Sequence, residues 1–206
     1  MSTAVRVLGR AGSINVRKVL WTCAELGLDF RREDVEVSSQ AFRALNPNAM
    51  MPVLLDGDFV LWESNSICRY LAGREFREDL LPAAARPRAR VEQWMDWQAG
   101  ELNNSWRYAF MGLVRGSAAH QDAGLREASI ANWNRHMAML DEQLQHSDGA
   151  FVLGSSLSLA DVVLGLSTHR WLATPMDKPA LPAVRAYYER LCERPAFAAY
   201  GRDAGP

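Results

Sequence analysis

Ser13 and Ser64 stand where a hydroxyl meets the start of a helical pattern, a pairing that can hold an anion. Ser13 precedes a run in which Val16, Val19, Leu20, Cys23 and Ala24 recur at amphipathic-helix spacing. Ser64, beside Glu63, opens a second run through Ile67, Tyr70 and Leu71. First-turn N–H groups and the helix dipole attract negative charge, and Glu63 can pair with an ammonium. The plainer alternative at both places is an ordinary capped helix. The remaining chemistry-capable residues do not cluster. Cys23, Cys68 and Cys192 show no C-x-x-C and no metal spacing, and their apolar, helix-like surroundings favour packing. His120, His136, His146 and His169 have neither metal nor triad spacing, so no metal site is expected. Arg86, Arg88 and Arg90 form the densest basic patch, which reads as the solvated start of a helix.

The elements that must position these residues follow from periodicity and turn chemistry. Ala4–Gly9 is a β-rich run, and the helix after Ser13 ends at Leu26-Gly27, with Gly27 a plausible left-handed cap. Phe30–Val37 reads as a second strand and Gln40–Leu45 as a short helix, followed by the turn signal Asn46-Pro47-Asn48. Val53-Leu54-Leu55, Asp56-Gly57 and Phe59-Val60-Leu61 form a hairpin signature with Asp-Gly as its turn. Together these give β-α-β-α-β-β-α over residues 1–75. Residues 76–87, charged and holding Pro82 and Pro87, suit a linker. Residues 88–206 read as all-helical, with helices over 88–115, 122–146, 158–171 and 181–192. Ser158 and Asp161 make an acidic capping box, with Leu157 and Val162 at the staple positions, a structural feature.

With 206 residues, 49% hydrophobic and 23% charged, the chain can bury one large core or two small ones. A formal charge of −1 gives no general pull toward nucleic acid or an anionic membrane. No apolar run approaches membrane-span length, and the first residues lack a signal peptide's layout. The expectation is a soluble cytoplasmic protein with free thiols.

Several motifs, in order and spacing, resemble the cytosolic glutathione transferases over essentially the whole chain. These are Gly9-Arg10 before Ser13-Ile14-Asn15-Val16-Arg17-Lys18-Val19-Leu20-Trp21, similar to serine-type bacterial and theta-like members; Asn46-Pro47 with Met51-Pro52-Val53-Leu54; Trp62-Glu63-Ser64-Asn65-Ser66-Ile67; Ser158-Leu159-Ala160-Asp161; and Arg190-Leu191 with Arg194-Pro195-Ala196-Phe197. The resemblance implies an α/β thioredoxin-like glutathione-binding domain, then an all-α helical bundle that forms the second-substrate pocket. It also implies a homodimer, no metal or organic cofactor, and glutathione as co-substrate.

By the same resemblance Pro52 follows a cis bond, and Met51 offers its backbone to the cysteinyl unit of glutathione. Glu63 and Ser64 take the γ-glutamyl end. Ser13 is the principal stabiliser of the thiolate, with Asn15 as partner or replacement. Arg10 lines the site, and Gln40 and Asn48 are candidates for the glycyl end. Lowering a thiol pKa by about two units requires roughly 2.7 kcal/mol of preference for the anion. A hydroxyl donor supplies about 1.5–3 kcal/mol and a helix N-terminus about 0.3–1 kcal/mol, so the sum suffices. Trp106, Tyr108, Phe110 and Met111 are candidates for an apolar second-substrate pocket, with core packing the alternative. Ala49 stands where the family often has glycine, and Met51 replaces the usual Val or Thr. The implied function is transfer of the glutathione thiolate to small hydrophobic electrophiles. Glutathione-dependent disulfide or peroxide reduction, and a non-enzymatic interaction module of the same fold, are the alternatives.

Overall fold

A computed structural model describes residues 4–147 and 149–205. Its N-terminal half holds β1 (Val5–Leu8), α1 (Ile14–Leu26), β2 (Phe30–Glu33), α2 (Gln40–Leu45), β3 (Val53–Asp56), β4 (Phe59–Trp62) and α3 (Ser64–Arg74). The four strands form one sheet in the order β2-β1-β3-β4. β1 pairs parallel to β2 and antiparallel to β3, and β3 pairs antiparallel to β4. This is the expected β-α-β-α-β-β-α order, with β2 ending sooner than the apolar alternation suggested. The hairpin pairs Asp56 with Phe59, so its two turn residues are Gly57-Asp58 and not Asp56-Gly57. Gly57 at φ 62 takes the left-handed position, which glycine adopts without a Cβ clash.

The helical remainder holds α4 (Ala85–Trp97), α5 (Asn103–Leu113), α6 (Ala123–His146), α7 (Leu159–Ala173), α8 (Pro182–Cys192) and α9 (Pro195–Tyr200). The helix expected over 88–115 starts earlier, and a π-helical turn at Gln98–Leu102 divides it into α4 and α5. Such a turn inserts an extra residue into the helix and re-aims the side chains beyond it. Every residue from Leu159 to Trp171 is buried, so α7 is the central helix, wrapped by its neighbours. One continuous core runs from Val5 and Val7 through Trp21, Met95 and Trp133 to Phe197. The sheet half and the helical half therefore share their apolar interior. The segment between α3 and α4 joins that core, since Leu80 and Leu81 are buried and the Leu159 N–H donates to the Leu80 carbonyl at 3.0 Å.

The capping region of α7 is a buried polar knot. The Asp161 carboxylate accepts from the backbone N–H groups of Ser158 (2.8 Å) and Val152 (2.9 Å) and from the Ser158 hydroxyl (2.9 Å). It thereby ties the loop after α6 to the first turn of the central helix. Burial pushes the Asp161 carboxyl above its ordinary range, and these donors oppose that shift.

Candidate functional site

The loop after β1 delivers Ser13 to the N-cap of α1 with extended backbone at φ −85 and ψ 121. Gly9 permits the loop's course: at φ 152, a Cβ there would lie 2.5 Å from Val16 Cγ2 and 3.1 Å from Met51 Cβ. The Ser13 hydroxyl makes no capping bond to its own helix. Its oxygen is therefore not held by the cap, and the hydroxyl can rotate to aim its O–H at a ligand. Ser13 lines a cleft of about 610 Å³ together with Arg10, Gly12, Asn15, Met51 and Arg115. The Met51–Pro52 bond is cis, as the resemblance implied, and the Arg10 N–H donates to Met51 Sδ at 3.3 Å. Just before this bond, Ala49 holds φ 52, a left-handed conformation that suits glycine better than alanine.

A second, adjoining cleft of about 320 Å³ is lined by Asn15, Lys18, Glu63, Ser64, Asn65 and Arg69, among others. Asn15 thus borders both spaces. Glu63 precedes α3 with φ 71, a strained conformation for a non-glycine residue, costing about 1–3 kcal/mol and concentrated in proteins at ligand sites. Ser64 sits at the first position of α3 and is buried. The structure therefore gathers Arg10, Ser13, Asn15, Met51, Glu63 and Ser64 around two adjoining clefts.

Gln40 and Asn48 are not among the residues lining these clefts. Asn48 serves its own turn, donating backbone and side-chain N–H to Asn46 Oδ1 at 3.0 and 3.2 Å. Trp106, Tyr108, Phe110 and Met111 are likewise absent from both linings. Trp106 and Phe110 pack edge-on at 5.4 Å inside the core, and the Tyr108 hydroxyl accepts from the Asp122 N–H. Arg115, just past the end of α5, is the residue that reaches the cleft from the helical half. An aromatic run at helical spacing packs inward more readily than the arginine after it, and that contrast was the available signal.

Sequence reading also missed the polar network beneath the second cleft. Lys18 is buried, and its ammonium donates to Gln98 Oε1 at 2.7 Å and Asn65 Oδ1 at 3.2 Å. Gln98, in the π turn, donates onward to Asn103 Oδ1 and Ser167 Oγ at 2.9 and 3.0 Å. This network joins α1, α3, α5 and α7 directly under the start of α3. Burial is the main cause that pushes the Lys18 pKa down from 10.5 to about 8. Between those values the unfolded chain holds a proton that the folded chain has released, so folded stability rises with pH across that window. Denaturant midpoints at pH 8 and pH 10 are expected to show wild type gaining about 2–3 kcal/mol on Lys18→Met. Parallel pH profiles for the two proteins would sink that assignment.

Cys23 and Cys68 are buried and not poised as nucleophiles. Burial pushes the Cys23 thiol up to about 12 and the Cys68 thiol up to about 11. Among the described residues, no group of three or more His, Cys, Asp or Glu is placed to hold a metal ion. No helix among them is long and apolar enough to cross a membrane.

A four-stranded mixed sheet with a cis X-Pro bond facing a helix N-terminus, fused to a helical bundle, defines a glutathione-transferase fold. The family model described as glutathione S-transferase, N-terminal domain, matches residues 12–74, and the corresponding C-terminal domain model matches residues 123–190. The glutathione S-transferase GstB of Escherichia coli K12 is 32% identical over 199 residues, covering 93% of this chain and 95% of that protein. Glutathione S-transferase 3 of Zea mays is 32% identical over 94% of this chain and 91% of its own length. The crystal structure of a theta class glutathione S-transferase from Xanthomonas axonopodis pv. citri, with glutathione bound, superposes with a TM-score of 0.89. It is 35% identical, over 97% of both chains. This chain belongs to the glutathione S-transferase family, among its bacterial and theta-like members.

Proposed function

We propose that this chain binds glutathione across the two clefts, ionises its thiol and directs the thiolate onto small, largely hydrophobic electrophiles. The observation that carries this reading is the Ser13 hydroxyl, free of its own helix and lining the cleft beside the cis Met51–Pro52 bond. Met51 offers strand-like backbone to the cysteinyl unit. Ser64 and the first-turn N–H groups of α3 receive the γ-glutamyl carboxylate, while Glu63 faces the ammonium. Ser13, with Asn15 beside it, donates to the sulfur. Gln40, at the start of α2, is the candidate for the glycyl end, since the Asn48 amide is committed to its turn. The thiolate attacks the electrophilic carbon, a C–S bond forms, the leaving group departs with its electron pair, and the thiol proton goes to solvent. Binding and positioning supply most of the acceleration in such a scheme. No metal or organic cofactor enters it, and glutathione is a co-substrate.

The reading places the protein in the cytoplasm, with residues 1–75 as the glutathione domain, 76–87 as the connection and 88–206 as the helical domain. It also includes a homodimer, and the exposed apolar side chains of Phe59, Val60 and Trp62 on β4 suit a partner's surface. Calorimetric titration with glutathione, followed by turnover of an activated aryl chloride, tests the central claim. Saturable binding and glutathione-dependent chloride release are expected. A protein that neither binds glutathione at millimolar concentration nor releases chloride would sink it.

A further inference from the structure

The cleft that holds Ser13 carries positive charge from both halves of the chain. Arg10, after β1, and Arg115, after α5, line it, and no aspartate or glutamate is among its lining residues. Among the described residues neither arginine joins an ion pair. Asp34 and Glu36 share a neighbouring groove with Arg10, and Asp34 is bound by Arg32 at 2.7 Å. Arg115 stacks over the Phe110 ring at 5.3 Å.

More cations stand behind this wall. Arg170 is buried, with its guanidinium 4.7 and 4.2 Å from the ring centroids of Trp106 and Phe110. Arg17 is buried too, and its Nη1 donates to the carbonyls of Gly201 and Gly205. Among the described residues, Arg17 Nε and Nη2 and Arg170 Nε have no hydrogen-bond partner. Burial first, then repulsion from neighbouring guanidiniums that include Arg115, lowers Arg17 to about 10 and Arg170 to about 9. Three guanidiniums thus lie within electrostatic reach of one another, and gathering buried like charges costs folding energy. An anion seated beside Arg115 relieves that repulsion. The proposed binding mode of glutathione leaves this place open, because its γ-glutamyl end lies at α3 and its glycyl end toward α2.

Resting on the transferase reading, we propose that the second substrate is an acidic electrophile: an apolar body bearing a carboxylate, which Arg115 receives while the reacting carbon faces the thiolate at Ser13. Arg10 supports the same charge from the opposite domain. A matched pair tests this, 4-(bromomethyl)benzoate against 4-(bromomethyl)benzamide. In both, the thiolate forms a C–S bond at the benzylic carbon, bromide leaves with its electron pair, and the thiol proton goes to solvent. The wild-type ratio of kcat/KM, benzoate over amide, is expected to be about tenfold or more, as hydrogen bonds to charged groups allow. Arg115→Gln is expected to bring the ratio near one, and Arg115→Lys to retain part of it. A wild-type ratio near one, or a ratio that Arg115→Gln leaves intact, overturns the proposal. So does an equal fall for both substrates with weakened glutathione binding, since Arg115 would then hold glutathione. If neither bromide reacts faster than it does with free glutathione, the transferase reading itself fails and the proposal falls with it.

Discussion

Replacing Ser13 with alanine is expected to raise the pKa of the bound glutathione thiol by about 1–2 units, the loss of one hydrogen bond to a charged acceptor. At neutral pH, kcat/KM should fall about 10–100-fold while the dissociation constant for glutathione changes little, because the other contacts proposed for the peptide remain. The sign is fixed by which form reacts. A thiol whose pKa is held low is ionised at neutral pH; without the donor, the thiolate appears only as pH rises through the higher value. The two proteins should therefore differ most below pH 7 and converge in alkaline buffer. Thiolate absorbance of the bound complex against pH measures this directly. An Ser13→Ala profile superimposed on wild type, with Asn15→Ala shifted instead, would move the donor role to the asparagine. Both residues line the same cleft, and the hydroxyl of Ser13 has no competing bond to its helix. That freedom is the reason for preferring it.

Asp161→Ala is expected to be the most damaging single change to stability. The substitution removes the acceptor for two buried backbone N–H groups and one hydroxyl at the head of the central helix. Each buried donor left without a partner costs about 1–3 kcal/mol, so a loss of about 3–5 kcal/mol follows, with an additional contribution from the lost cap. For a chain of this size each kcal/mol lowers Tm by about 2–4 °C, giving a drop of roughly 6–20 °C. Asp161→Asn, which keeps an acceptor oxygen, should fall between wild type and alanine. Thermal unfolding followed by circular dichroism reads the effect. A Tm for Asp161→Ala within about 3 °C of wild type would show that the loop after α6 does not depend on this carboxylate.

Those two residues were legible for different reasons. The Ser158–Asp161 box is encoded in four consecutive residues, and Ser13 sits immediately before an apolar stripe of helical period. The same holds for Gly27, which takes φ 65 at the end of α1, and for Gln40–Leu45, which folds as the helix its spacing predicted. Signals of this kind act over a few bonds, so neighbouring residue types decide them. The candidate site was legible only where motif and local element coincide, at Arg10, Ser13, Asn15, Met51, Glu63 and Ser64, which line the two clefts.

Lys18 and Gln98 illustrate what lay beyond that reach. They are 80 residues apart and bonded at 2.7 Å, and nothing local distinguishes Lys18 from a lysine on a solvated helix face. It is buried because α1 packs against α3, α7 and α9 at once. The aromatic run Trp106–Phe110 is a related case: its composition suits either a pocket wall or a core. Only the placement of α5 against α6 decides that the Trp106 and Phe110 rings face inward and that Arg115 reaches the cleft. By itself the sequence determined the order of the main elements, the caps at Gly27 and Ser158–Asp161, and the part of the candidate site that lies in local motifs. The tertiary structure alone decided which charges are buried and which side chains face the cleft, because both depend on contacts between segments far apart in the chain.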